Sequence, residues 1–257
     1  MPPGEIMLDS ANLAPHERWW LTLTSPQIAF QTEWREYLKP TSLREGLEEP
    51  DTLAEDWGIE NRLDLHRQVR QLAFGDCHGH LMLEEYGAFH CLQPSQWQTM
   101  RERATSPRHR ASLDFVARTA PYIGPHGVQA WDYGRASYLT REGLRFGWVS
   151  EEEFGFIHNH LAHQARRRYG SWEQYTQAWY AGRCLWEFSH EEGEGEPEQA
   201  AQALLHGWIA REMRTMLADA LRDKENPIHG QSWYEVPLPD IEQPQSLIDL
   251  FNSDSQE

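Results

Sequence analysis

"VSEEEFGFIHNHLAHQARRRYG" (residues 149–170), running straight into "SWEQYTQAWYAGRCLWEF" (residues 171–188), decides the fold class. Ser150 and Glu153 have the spacing of a capping box, in which the hydroxyl and the carboxylate each satisfy a backbone N–H at a helix start. Val149 and Phe154 are placed for a hydrophobic staple across that start. Phe154, Ile157, Leu161 and Ala165 then recur along one helical face. Arg166, Arg167 and Arg168 stand where the negative end of the helix dipole favours cations, and Gly170 follows as a stop. Ser171 and Gln174 repeat the box at once, and Tyr175, Trp179, Gly182 and Trp186 trace a second stripe. Two capped helices joined so tightly predict an antiparallel hairpin.

The same signals extend outward. Ser25 and Pro26 open a helix in "SPQIAFQTEWREYL", and Asn61 caps "NRLDLHRQVRQLAFG", which Gly75 ends. Residues 197–226, "PEQAAQALLHGWIAREMRTMLADALRDKEN", read as one long amphipathic helix carrying Leu204, Trp208, Met216 and Ala220 on its apolar side. No alternating strand pattern of useful length interrupts these elements. The expectation is a mostly α protein, a single multi-helix domain with antiparallel helical hairpins. Residues 1–18 read as a flexible arm, residues 19–226 as the helical domain, and residues 227–257 as a Pro-rich, acidic and irregular tail.

A formal net charge of −17 argues against a nucleic-acid binder, because phosphate contacts need a dominant basic surface. The acid clusters in residues 45–60, in residues 187–198 and after Glu235, which serves solubility or, as the functional alternative, attraction to a basic protein partner. Three cysteines, Cys77, Cys91 and Cys184, form no paired framework and point to a reducing compartment. With no signal-peptide pattern and no apolar run of membrane length, a cytoplasmic protein without a membrane partner is expected.

"GDCHGHL" (residues 75–81) concentrates Asp76, Cys77, His78 and His80 in seven positions. Adjacent residues normally direct their side chains apart, and no recognised zinc spacing results, so no metal or cofactor is expected there. His158 and His160 lie about 200° apart on a helix, while His160 and His163 share a polar, solvated face. In "AWDYGRASYL" (residues 130–139), Asp132 and Arg135 fall one turn apart on the face that holds Ala136 and Leu139, which predicts an inward-facing ion pair. No nucleophile elbow, phosphate loop or zinc-protease helix is present, so the chain is not expected to be an enzyme.

Taken in order, "LAEDWGI" (53–59), "LDL…QLAFG" followed by Gly79-His80, "AWDYGRASYL", "GWVSEEEF" and "YGSWEQYTQAWYAGRCLWEF" resemble a bacterial family known as domain of unknown function 1266. The resemblance covers about residues 45–190 and implies a helical domain in a bacterial cytosol. It makes His80, Trp131, Asp132, Arg135, Trp172 and Arg183 the characteristic positions and candidate ligand contacts. It carries no reaction. The functional expectation is a non-enzymatic module that binds another bacterial protein, of immunity or chaperone-like type. The alternative is an enzyme or small-anion binder with His80, Asp132, Arg135 and Arg183 around one pocket. In the tail, Leu247, Ile248, Leu250 and Phe251 form an apolar cluster expected either to fold back on the chain or to engage a partner. "LIDLF" there resembles the short peptides by which bacterial proteins bind the replication sliding clamp.

Overall fold

The computed structural model describes residues 12–30, 36–41, 51–74, 77–190 and 197–254. Among these the protein is mostly α, with no strand. In chain order the helices are α1 (Pro15–Thr22), α2 (Ser25–Phe30), α3 (Asp51–Trp57), α4 (Arg62–Phe74), α5 (Leu83–Cys91), α6 (Pro94–Arg103) and α7 (Pro107–Ile123). They continue with α8 (Ala130–Arg145), α9 (Glu151–Arg168), α10 (Trp172–His190), α11 (Pro197–Leu205), α12 (Trp208–Arg222) and α13 (Gln245–Asp254). Short 3-10 turns occur at His78–His80 and Pro227–His229. Backbone contacts divide the chain into two compact units. The first gathers the described residues of Met1–Gly75, Tyr133–Arg166 and Glu225–Glu257; the second gathers those of Asp76–Asp132 and Arg167–Lys224.

The first unit is built around buried polar groups. The capping box of α9 forms as the sequence predicts: Glu153 N–H donates to Ser150 Oγ at 3.3 Å, and Ser150 N–H donates to Glu153 Oε2 at 2.9 Å. Glu153 is fully buried and also receives Arg62 at 2.5 and 2.9 Å and the Ser246 hydroxyl at 2.5 Å. Burial alone would raise its pKa, but these donors hold it down at about 2. A second network runs through His158, also fully buried. Its Nδ1–H donates to Phe154 O at 3.0 Å, so Nε2 accepts from Ser137 at 2.9 Å, and Ser137 lies 2.5 Å from Thr24 Oγ1. Desolvation lowers the His158 pKa to about 3 and keeps the ring neutral.

Both ends of this unit depart from expectation. Pro15 is the first residue of α1, and Glu17 reaches back to Ala14 N–H at 2.7 Å, so residues 15–18 are helical where an arm is expected. Trp19, buried just beyond, anchors them against Trp233 with ring centres 5.1 Å apart. The tail is packed rather than solvated. Gln231 donates to Thr22 Oγ1 at 2.6 Å, Asn159 donates to Pro239 O at 2.9 Å, and Leu247 is buried. An average composition hides such points of attachment: two apolar residues and a few carbonyls suffice to fix a Pro-rich segment whose chain entropy is already low.

The second unit is assembled on α7 and α10. Helices α5, α6 and α11 pack on α7, and α12 packs on α10 and α11. Close approach is set by glycine: a Cβ on Gly182 of α10 would collide with Trp131 Cβ and lie 3.2 Å from Val128 Cβ. Trp131 in turn meets Trp179 edge-on at 4.7 Å. The helix expected across residues 197–226 is two helices. His206 and Gly207 N–H both bond Gln202 O, at 2.9 and 2.8 Å, which is the closing pattern of a helix C-terminus. Redirection of the chain at Gly207 leaves Trp208 43% exposed instead of in the apolar stripe.

Candidate functional site

Cys77 is extended (φ −116°, ψ −168°) and the His78–His80 turn begins immediately after it. That change of backbone direction swings two adjacent side chains together, and Cys77 Sγ lies 3.7 Å from His78 Nδ1. The expectation that neighbouring side chains diverge is therefore wrong at this pair; it holds for uniform backbone and fails where extended chain enters a helical turn. Asp132, in the first turn of α8, accepts from Gly79 N–H at 2.6 Å. One ligand atom from each of Cys77, His78 and Asp132 lies within 4.8 Å of the others. Gly79 is required by this approach, because a Cβ there would sit 2.6 Å from Asp132 Oδ2 and 2.9 Å from Gln129 Cα. Asp76 and Gly75 lie outside the described residues.

His80 closes the turn. Arg168 Nε donates to Gln129 Oε1 at 2.5 Å, which directs the Gln129 amide towards His80 Nε2 at 3.4 Å. His80 Nε2 is then an acceptor and the ring proton sits on Nδ1. Among the described residues, that buried Nδ1 has no hydrogen-bond partner.

The other sequence-derived positions have different surroundings. Trp131 packs on Gly182, next to Arg183, and Trp172 is buried edge-on to Tyr175 at 6.0 Å. The Arg183 guanidinium lies 2.8 Å from Glu187 and 3.8 Å from Glu212. Asp132 and Arg135 are buried as the helical spacing predicts, and in the first unit the Arg135 guanidinium covers the Trp57 ring at 4.7 Å. His160, expected on a solvated face, instead stacks on Phe74 at 3.9 Å. Of the cysteines, Cys184 is buried and desolvation pushes its thiol pKa up, Cys91 is exposed, and Cys77 is half-buried.

Each unit also carries a depression. In the first, a cavity of about 440 Å³ is lined by Val69, Phe74, His160, Leu247, Ile248 and Phe251. The tail cluster thus folds back as α13: Leu247 is buried, Phe251 lies under Arg70 at 4.8 Å, Leu250 is half-buried and Ile248 is 37% exposed. In the second, a groove of about 330 Å³ runs between α7, α10, α11 and α12, with Phe115, Ile123, Leu204, Met213 and Leu217 in its lining. Among the described residues its charged lining residues are Arg118 and Arg214, with no carboxylate. Arg118 donates to Leu205 O at 2.8 Å, and Tyr122 at the edge is 66% exposed. Sequence reasoning missed this groove. Its one signal was Met213 and Leu217, a helical turn apart on α12, with Tyr122 beside the buried Ile123.

The family model described as "Protein of unknown function (DUF1266)" matches residues 52–237. The chain belongs to the DUF1266 family. The match runs from α3 through the walls of the second-unit groove and the His78–His80 turn, and stops before α13, which lines the first-unit cavity. Two proteins of Escherichia coli (strain K12) are similar to this chain. "Uncharacterized protein YbeU" is 34% identical over 137 residues, 53% of this chain and 57% of its own length. "Uncharacterized protein YbeR" is 31% identical over 159 residues, 62% of this chain and 63% of its own. The chain therefore spans about three fifths of each relative. No solved structure matches. Among the described residues, no helix is long and apolar enough to cross a membrane.

Proposed function

We propose that the protein is a non-enzymatic, cytoplasmic binding module, of immunity or chaperone-like type, that takes an amphipathic helix of another bacterial protein into the second-unit groove. The observation behind this reading is the apolar lining between α7, α10, α11 and α12, with exposed Tyr122 at its edge and, among the described residues, no carboxylate in its walls. Strand addition needs a sheet edge, and the described residues contain none. A groove walled by helices instead suits a helix with apolar anchors at i, i+3 and i+4. The groove is also locally cationic through Arg118 and Arg214, so the docked helix carries acid at its flanks. This differs from the basic partner that net charge suggests, because recognition follows the local field.

Purification from native cells, with the partner identified and rebuilt from pure components, tests the reading. Leu217→Glu, which places a charge in the lining, should release that partner while thermal unfolding stays cooperative. A protein that always runs alone, or a variant that binds as well as the parent, overturns it.

The enzyme or small-anion alternative draws on a single observation, the buried Nδ1–H of His80 beside Gln129. It requires Arg183 to exchange Glu187 and Glu212 for the ligand. Titration with inorganic phosphate should then shift the His80 ring resonances. Unmoved resonances remove the alternative.

A further inference from the structure

We propose that Cys77, His78 and Asp132 bind a divalent transition-metal ion of the zinc class and leave one coordination position for an exogenous ligand. The site stands on the His78–His80 turn and the start of α8, so it is independent of the groove reading.

The geometry is close to what such an ion needs. A tetrahedral centre with bonds of about 2.3 Å to sulfur, 2.1 Å to nitrogen and 2.0 Å to oxygen separates its ligand atoms by about 3.3–3.6 Å. The Cys77 Sγ to His78 Nδ1 distance is 3.7 Å, and all three ligand atoms lie within 4.8 Å of one another. Small rotations about the side-chain bonds bring the set onto one ion. Three protein ligands with a fourth place open is the arrangement of reactive zinc centres, whereas closed structural centres supply all four.

The donor set also selects the ion. Thiolate and imidazole favour zinc and its neighbours in the transition series, and a single carboxylate among them is too little oxygen for magnesium or calcium. Asp132 is oriented by the Gly79 N–H at 2.6 Å, the kind of outer hydrogen bond that fixes a ligating carboxylate. Gly79 is the residue that permits it, since any Cβ there would strike the same carboxylate. On binding, the Cys77 thiol gives its proton to solvent, and His78 ligates as the neutral ring.

The full reduced chain, stripped with chelator, is titrated with cobalt(II) and then with zinc. The expected result is a thiolate-to-cobalt charge-transfer band with tetrahedral visible bands, bleached by zinc and unaffected by magnesium. Cys91→Ser should keep the band and Cys77→Ser should lose it. His78→Ala and Asp132→Asn should each weaken binding by at least 10–100-fold, the range seen when even outer-sphere partners are removed. Cys77 is half-buried, so its variant stays folded, and circular dichroism verifies this for all four. No band in the parent, a band retained in Cys77→Ser, or affinity unchanged in both His78→Ala and Asp132→Asn overturns the proposal.

Discussion

Two capping boxes of the same sequence logic stand one in each unit, Ser150–Glu153 and Ser171–Gln174, and they do very different work. In the second unit Gln174 N–H donates to Ser171 Oγ at 3.1 Å and the Gln174 side chain accepts from Gly170 N–H at 2.6 Å. Both of these bonds serve the start of α10. In the first unit Glu153 is fully buried and ties α4, α9 and α13 together through Arg62 and Ser246. The motif therefore reports where a helix begins. Its energetic weight depends on what the third residue reaches, which is a tertiary matter. The contrast extends to the units: the first holds its core with buried polar networks, the second with indole rings closed over glycine.

The hardest way to break this contrast is at Glu153. Glu153→Ala should destabilise the first unit by about 3–5 kcal/mol, because Arg62 and Ser246 lose a desolvated partner. Denaturant midpoints of parent and variant measure it. The Glu153 pKa is depressed to about 2, so its contribution is complete above the usual carboxylate range and fades as pH falls towards 2. Gly182→Ala is the matching test of the second unit, where the new methyl meets Trp131 and Val128. Overpacking of this kind should cost about 3 kcal/mol, read as a lowered melting temperature with altered indole fluorescence.

A smaller effect separates the units by pH. His158 is neutral when folded, with a pKa near 3 against 6.5 unfolded, so stability is lost as pH falls below 6.5 and levels off near 3. Between pH 7 and 5 its share is about 2 kcal/mol, by the linkage of one proton. Urea titrations at both pH values should show that much less acid sensitivity in His158→Gln than in the parent. Equal sensitivity would remove His158 as the source. The smallest test is Ser171→Ala, expected to cost about 1 kcal/mol, the ordinary worth of a cap. A loss several times larger would show that this box, too, is tied into its core.

Helix existence was legible in the sequence because it rests on local chemistry. The Ser150 box and the buried stripe of Phe154, Ile157, Leu161 and Ala165 appear where the spacing puts them, and Val149 is buried beside the box. The break at Gly207 was not legible, since a lone glycine inside an amphipathic pattern reads as a tolerated residue until its N–H is seen on Gln202 O. The candidate site was half legible. Asp132 and His80 stand out by position, whereas Cys77 and His78 converge only because the local backbone turn overrides the usual divergence of adjacent side chains. The role of Gly79 depends on an approach across 53 residues of sequence, which no local pattern encodes.

The bond from Ser246 to Glu153 spans 93 residues, and it imposes an order on biosynthesis. Glu153 leaves the ribosome long before the hydroxyl that completes its shell, by about 5–20 s at bacterial elongation speeds. During that interval every described residue of the second unit, which ends at Lys224, has already been made. The second unit can thus close before Ser246 has emerged, whereas the first waits for that hydroxyl. A ribosome stalled with Lys224 emerged and Ser246 still inside its exit tunnel would present one protease-resistant unit and one that is still being cut.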